Sequence, residues 1–206
     1  MNLAYFRKSG RSIEEAVNEL KDQAQKAGFN VLGEVDLQGA GKTLLVCRPD
    51  WLKQLLDIDH NLVGFLPCGI SVITKDGSVL VGTGQTAILK SLAQHPQLAD
   101  LAAQADGAIK ELVDKAAGVE ALKPTAVKLY STMSCPYCQM EKKWLESKNV
   151  KHEVVYVDLN QQAAQEMVQK TGQMGVPVTE IAYEGIESEY IIGFDRPRLE
   201  QILGIK

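Results

Sequence analysis

The residues with the clearest chemical potential are the two cysteines of the stretch Ser134-Cys135-Pro136-Tyr137-Cys138. An apolar, strand-like stretch over 127–131 precedes them, and a helical pattern over 136–148 follows. We therefore expect Cys135 at a helix N-terminus, where unpaired N–H groups and the helix dipole favour a thiolate. Pro136 suits the first helical turn, because that position needs no N–H donor. Cys138 would lie one turn further in, close enough to resolve a mixed disulfide formed at Cys135.

Two other interpretations of this cysteine pair are weaker. A structural zinc site needs a second pair of ligands at comparable spacing, and His152 is the only other candidate in this part of the chain. A purely structural disulfide would be reduced in a cytosol. The pattern therefore favours a redox-active dithiol with no bound metal.

Two later stretches could complete such a site. Val176-Pro177 contains an X–Pro bond, which adopts the cis form at modest cost, although a proline at the start of a strand is also common. Gly193-Phe194-Asp195 precedes a helical pattern over 195–203, and Asp195 is typical of a helix N-cap. A capping role alone explains Asp195 as well as a ligand contact does.

With these motifs in order, residues 125–206 resemble the glutaredoxins and glutaredoxin-like redoxins of the thioredoxin superfamily. The resemblance implies an α/β thioredoxin fold with the element order βαβαββα, which the patterns along 126–203 also follow. It implies that Cys135 is the nucleophile and Cys138 the resolving thiol. The other residues that it places at the substrate or glutathione site are Tyr137, Val176, Pro177, Gly193, Phe194 and Asp195. The backbone of Val176 is expected to bind a substrate backbone.

Two departures from the glutaredoxin pattern bear on the reductant. Glutaredoxins often carry a lysine three residues before the first cysteine, where it pairs with a glutathione carboxylate, and this chain has Thr132. The paired glycines that often precede the aspartate appear here as Gly193-Phe194. The electron donor is therefore open between glutathione and a thioredoxin-reductase-type partner. The clients are expected to be disulfide-containing proteins or small disulfides, and no bound organic cofactor is needed.

The first part of the chain has a different pattern. Residues 1–117 predict an α+β domain with a mainly antiparallel sheet, and 118–124 a linker. Ser12 and Glu15 form a capping-box pattern before a helix over 13–27, and Asp76-Gly77 predicts a hairpin turn. The alternation over 30–37 predicts a half-buried strand, and further helical patterns cover 86–94 and 97–117.

This domain resembles an uncharacterised family, domain of unknown function 302, through Cys47-Arg48-Pro49 and Leu66-Pro67-Cys68. The family brings no activity with it. Cys47 and Cys68 each fall at a strand end, so neighbouring strands could bring them together. They are either small buried hydrophobic residues or a second thiol site, with His60 as a candidate ligand. A second hypothesis for the whole chain is accordingly a redox-sensing scaffold whose N-terminal domain recruits a client.

Composition narrows the function classes. The 206 residues carry a net charge of −4, and neither half is basic enough for a nucleic-acid surface. No apolar run approaches a membrane span, and the first residues lack the apolar core of a secretory signal. Four cysteines are too few for a secreted disulfide scaffold. We therefore expect a cytoplasmic thiol–disulfide oxidoreductase without nucleic-acid or membrane partners.

Overall fold

The chain forms two compact units that meet in sequence between Ala121 and Leu122. The computed structural model describes residues 4–84, 96–184 and 186–205. The helix predicted over 86–94 lies outside the described residues. Within the described ranges, no helix is both long and apolar enough to cross a membrane.

The N-terminal unit is built on one five-stranded antiparallel sheet. Its strands are β1 Ala4–Ser9, β2 Asn30–Asp36, β3 Gly41–Cys47, β4 Cys68–Lys75 and β5 Ser78–Gly84, in the sheet order β1-β5-β4-β3-β2. Its helices are α1 Ile13–Lys26, α2 Pro49–Ile58 and α3 Pro96–Ala117, with a 3-10 helix at His60–Phe65. The predicted α+β class with an antiparallel sheet is confirmed.

Local sequence signals fix two of the turns in this unit. The Ser12 hydroxyl accepts a hydrogen bond from the Glu15 N–H at 3.3 Å, and the Glu15 carboxylate accepts one from the Ser12 N–H at 2.8 Å. This is the reciprocal capping box that the sequence predicts. Asp76 and Gly77 have φ values of 51° and 71° and join β4 to β5, as a type I′ hairpin turn requires.

Strand β2 differs from its prediction. The alternation over 30–37 predicts a half-buried strand, but Leu32 is 59% exposed and Val35 is 45% exposed. The reason is positional, because β2 lies at the edge of the sheet and pairs with β3 alone. A register shift between Val31 and Gly33 also interrupts the alternation of faces.

The C-terminal unit has the four-stranded mixed sheet of a thioredoxin fold. Its strands are β6 Ala126–Ser131, β7 Glu153–Tyr156, β8 Val178–Ala182 and β9 Glu189–Ile192, in the order β7-β6-β8-β9. Its helices are α4 Pro136–Ser147, α5 Gln161–Thr171 and α6 Arg196–Leu203. β6 and β7 are parallel, and the other two pairings are antiparallel. The predicted order βαβαββα is confirmed.

Alternating side chains of β6 divide the core of this unit between the two faces of the sheet. Leu129 belongs to a cluster with Leu145 of α4 and Leu199 of α6. Tyr130 belongs to a second cluster with Met167 of α5. The sheet is therefore covered on both faces, and the end of β6 is held firmly at the start of the cysteine-containing loop.

A polar network ties the first strand of the N-terminal unit to its last helix. The Tyr5 hydroxyl donates to the Asp114 carboxylate at 2.7 Å, and the Arg7 guanidinium donates to the same oxygen at 2.6 Å. Both members of the Arg7–Asp114 pair are largely buried. Because 107 residues separate Arg7 from Asp114, the network closes the unit over nearly its whole length.

We predict that Arg7→Met lowers the free energy of unfolding of this unit by about 3 kcal/mol, since it leaves the Asp114 carboxylate buried without its cation. Adding Asp114→Asn should restore more than half of the loss, because the amide is uncharged and still accepts from Tyr5. Trp51 fluorescence during denaturation, in a Trp144→Phe background, reports on this unit alone. Equal stabilities of the single and double variants would contradict the assignment.

Candidate active site

Cys135 is placed by the end of β6 and the first turn of α4. It is the N-cap of α4, its backbone is extended, and Pro136 occupies the first helical position. The Cys135 sulfur accepts a hydrogen bond from the Cys138 N–H at 3.1 Å. Cys135 and Cys138 are joined by a disulfide with their Cα atoms 5.3 Å apart. Cys135 is half-buried, whereas Cys138 is 1% exposed, so Cys135 is the sulfur that an attacking thiol can reach.

The loop before β8 forms the second wall of the site. The Val176–Pro177 peptide bond is cis, as the sequence suggests it could be. The Val176 carbonyl oxygen lies 3.9 Å from the Cys135 sulfur. Pairing between β6 and β8 begins only at Val178, so the Val176 backbone lies outside the sheet. Val176 therefore presents main-chain groups beside the accessible sulfur.

The loop before α6 is connected to the same wall. The Gly193 N–H donates to the Pro177 carbonyl at 2.9 Å. Asp195 is the N-cap of α6, and its side chain accepts from the Arg198 N–H at 3.2 Å. The Phe194 ring packs against Trp144, with the ring centroids 5.8 Å apart. The Phe194 side chain is half-buried and packs against the hydrophobic core of this unit.

Several large apolar side chains are exposed on α4 and on the two loops nearest Cys135. Tyr137 is 65% exposed and Met174 is 88% exposed, and Met133 and Met140 are exposed as well. The two loops nearest Cys135, residues 132–135 and 172–177, contain no lysine or arginine. Lys128 is directed elsewhere, with its ammonium 3.8 Å from the Glu180 carboxylate.

A fully buried carboxyl group belongs to the helix that carries the dithiol. Glu141 follows Cys138 by three residues on α4 and is 0% exposed. Its Oε1 accepts a hydrogen bond from the Thr179 hydroxyl of β8. Its Oε2 has no hydrogen-bond partner among the residues that the structure describes. Burial raises the pKa of Glu141 from its ordinary value to about 7, against the effect of the Thr179 bond.

Glu141 was not among the predicted site residues, although its sequence position carries a signal. Cys138, Glu141 and Leu145 are spaced i, i+3, i+7, which defines one buried face of a helix. A glutamate on that stripe, one turn after a reactive cysteine, is the kind of residue that needs an explanation.

The two remaining cysteines lie in the N-terminal unit and are both free thiols. Val46 is directly opposite Cys68 in the β3–β4 pairing, so Cys47 is one residue out of register with Cys68. The pKa of Cys68 is raised to about 11. Burial is the larger cause, and the nearby Cys47 is the smaller one. Burial and Asp50 raise the pKa of Cys47. Both thiols are therefore held in the protonated form at neutral pH.

The surroundings of these thiols do not form a metal site in the described part of the chain. The His60 side chain is largely exposed and lies 3.7 Å from the Asp59 carboxylate. No group of three or more His, Cys, Asp or Glu residues placed to hold a metal ion occurs within 4–84, 96–184 and 186–205. Cys68 lines an apolar cavity of about 210 Å³ with Trp51 and Phe65, whereas Cys47 does not line it.

Comparison with known proteins divides the chain in the same way. A glutaredoxin family model matches residues 127–186, and the model of domain of unknown function DUF302 matches residues 5–116, more than half of the chain. An uncharacterized glutaredoxin-like 8.6 kDa protein in the rubredoxin operon of Clostridium pasteurianum is 32% identical over 77 residues. That alignment spans 37% of this chain and 96% of the relative.

Solved structures include likenesses to each unit. The crystal structure of an uncharacterized conserved DUF302 protein from Bacillus stearothermophilus covers 56% of this chain and 99% of its own, with a TM-score of 0.51 and 22% identity. A glutaredoxin from Archaeoglobus fulgidus covers 37% of this chain and 84% of its own, with a TM-score of 0.33 and 20% identity. The first of these likenesses supports the fold of the N-terminal unit.

The order of motifs, the helix-capping cysteine and the family matches lead to one conclusion: this chain belongs to the DUF302 family through its N-terminal unit and carries a glutaredoxin-like domain as its C-terminal unit.

Proposed function

We propose that the protein is a dithiol thiol–disulfide oxidoreductase that reduces disulfides of proteins or small molecules. A redox function of the thioredoxin-superfamily type follows from the glutaredoxin domain. The observation that carries the proposed dithiol mechanism is a hydrogen bond at a helix N-terminus. The Cys138 N–H donates it to the accessible Cys135 sulfur. The same N–H stabilises negative charge on that sulfur once the disulfide is reduced.

The reaction follows from the two sulfur environments. The Cys135 thiolate attacks a client disulfide, forming a mixed disulfide and releasing one client thiolate. Cys138 then attacks the Cys135 sulfur, which closes the Cys135–Cys138 disulfide and releases the second client thiolate. The client gains two electrons and the dithiol loses two. The Val176 backbone, free of the sheet, is placed to align an extended client segment beside Cys135.

The exposed side chains of Met133, Tyr137 and Met174 support protein clients, and the absence of lysine and arginine from the adjacent loops bears on the donor. Glutathione carries two carboxylates, and the loops 132–135 and 172–177 provide no positive side chain for them. We therefore expect a thioredoxin-reductase-type donor to support faster turnover than glutathione does. A cytoplasmic location remains a prediction.

A second candidate function is a redox-sensing scaffold whose N-terminal unit recruits a client. The apolar cavity lined by Trp51, Phe65 and Cys68 favours it, because a cavity of about 210 Å³ can take an apolar side chain or a small ligand. Turnover separates the two candidates. A scaffold would equilibrate Cys135–Cys138 with a redox buffer, yet show no multiple-turnover disulfide reduction with either donor.

The first prediction from this mechanism concerns the roles of the two cysteines. Cys135→Ser should reduce turnover to background, because the nucleophile is lost. Cys138→Ser should retain the first attack and accumulate a mixed disulfide between Cys135 and the client, visible by mass spectrometry. Cys47→Ser and Cys68→Ser serve as matched controls that keep turnover. Loss of adduct formation in Cys138→Ser, with the protein folded, would count against the assignment.

The second prediction concerns the donor. Thr132→Lys places an ammonium group next to Cys135, where a glutathione carboxylate can pair with it. Glutathione-supported turnover should rise by about fivefold, the effect of one exposed ion pair of ~1 kcal/mol. Turnover with thioredoxin reductase and NADPH should stay unchanged. Thr132→Gln is the uncharged control of similar length, and an equal rise in Thr132→Gln would show that charge is not the cause.

A further inference from the structure

Glu141 is a buried ionisable group that the mechanism described so far does not use. It is 0% exposed, and its Oε2 has no hydrogen-bond partner in the described ranges of the chain. A buried carboxyl oxygen without a partner is destabilising, so a protein that keeps one is expected to use it. A methionine or leucine would fill the same position on the apolar face of α4 without that penalty.

The position of Glu141 relates it to the resolving cysteine. Residues three apart on a helix are neighbours on one face, and both Cys138 and Glu141 are buried. From the other side, Glu141 is held by Thr179, which lies two residues after the cis-proline Pro177. The carboxyl group therefore connects the helix that carries the dithiol to the strand that follows the Val176 loop.

The charges around Glu141 allow it to change protonation near neutral pH. From β8 it meets the uncharged Thr179, and from the N-terminus of α6 the negative charge of Asp195 raises its pKa. On its own helix, Cys138 and Trp144 lie one turn away on either side. The adjacent Lys142 is directed to Glu146, with the charged atoms 3.9 Å apart, and Lys143 is exposed. Burial, the largest effect, places the pKa of Glu141 at about 7.

We propose that Glu141 is the internal proton acceptor for Cys138 during the resolving step. The inference rests on the proposed dithiol function. Glu141 does not touch the client, and it acts on the Cys138 thiol as a general base that sets when Cys138 becomes a nucleophile.

In the mixed disulfide, the Cys138 thiol transfers its proton to the ionised Glu141 carboxylate, directly or through one water molecule. The Cys138 thiolate attacks the Cys135 sulfur, the Cys135–Cys138 bond forms, and the bond from Cys135 to the client sulfur breaks. The client sulfur leaves as a thiolate and is reduced. When a donor later reduces the disulfide, Glu141 returns the proton to the Cys138 sulfur.

If the role of Glu141 were purely structural, the substitution Glu141→Gln should leave the resolving step unchanged. The glutamine side chain would keep an oxygen that accepts from Thr179 and would keep the volume of the glutamate, but an amide cannot take up a proton near neutral pH. Glu141→Gln therefore separates the hydrogen bond from the acid–base function. Thr179→Val has the complementary effect, because it keeps the carboxyl group and removes a bond that stabilises its ionised form.

The two steps can be observed in one experiment with the reduced full-length protein. It is mixed in a stopped-flow instrument with a substoichiometric chromogenic aryl disulfide (dithiobis-nitrobenzoate). The first aryl thiolate is released when Cys135 attacks, and the second when Cys138 resolves the mixed disulfide. The Cys135→Ser protein gives the background from the remaining thiols, Cys47, Cys68 and Cys138, and both rates are measured as a function of pH.

We expect the resolving rate of the wild type to rise through pH ~7 and then level off, as Glu141 ionises. In Glu141→Gln, the resolving rate at neutral pH should fall by about a hundredfold and should follow an ordinary thiol, rising near pH ~8.5. The rate of the first release should stay unchanged. Thr179→Val should move the midpoint of the wild-type profile to higher pH. Glu146→Gln, an exposed glutamate of the same helix, should change neither step.

The outcomes separate this inference from the function on which it rests. If the wild type releases no more thiolate than Cys135→Ser, the dithiol function is wrong. If the first release is normal but Glu141→Gln leaves the resolving rate and its pH profile unchanged, the inference about Glu141 is overturned. Should Glu141→Gln fail to fold, the Thr179→Val profile decides, and an unshifted midpoint overturns the inference.

Discussion

The hydrogen bond from the Cys138 N–H to the Cys135 sulfur is the interaction on which the redox site depends. It exists because Cys135 is the N-cap of α4, with Pro136 in the next position, so the first free N–H groups of the helix face the sulfur. A serine or aspartate oxygen usually takes this place at a helix start. Here a cysteine sulfur takes it, and this position is the reason that we propose Cys135 as the nucleophile.

The rest of the C-terminal unit holds that helix start against the loop before β8. β6 lies between β7 and β8 with both of its faces covered, so its end cannot shift without disturbing both core clusters. The Val176 carbonyl approaches the Cys135 sulfur from the loop, and Gly193 supports Pro177 from behind. Glu141 is one of several buried polar or charged side chains of this unit, with Thr179 and Arg198 among the others, but its Oε2 has no hydrogen-bond partner among the described residues.

The sequence predicts those parts of the structure that depend on neighbouring residues. The capping box of Ser12 and Glu15, the turn at Asp76-Gly77 and the N-cap at Asp195 are all confirmed, because each is specified within a few residues. The order of elements around Cys135 is confirmed for the same reason. The exposure of β2 is different, since it depends on which strands lie beside it and on a local register shift.

Contacts between distant residues could not be predicted in this way. Asp114 meets Arg7 across 107 residues, and Thr179 meets Glu141 across 38, and no local pattern pairs them. The cavity that Cys68 lines is also formed by residues from separate elements, so the sequence offered only the position of the cysteine. For the candidate site, the motifs predicted the two cysteine sulfurs and the Val176 backbone beside them. The burial of the Glu141 carboxyl group depends on how distant elements pack, so it became visible only in the structure.

The central claim is that the start of α4 keeps Cys135 as a thiolate, and the pH dependence of its alkylation tests that claim most directly. The reduced protein is treated with iodoacetamide at a series of pH values, and modification of Cys135 is followed by peptide mass spectrometry. Stabilisation by the helix N-terminus predicts that alkylation has already reached its plateau at neutral pH. Alkylation that rises only near pH ~8.5, as for a free cysteine, would contradict the account.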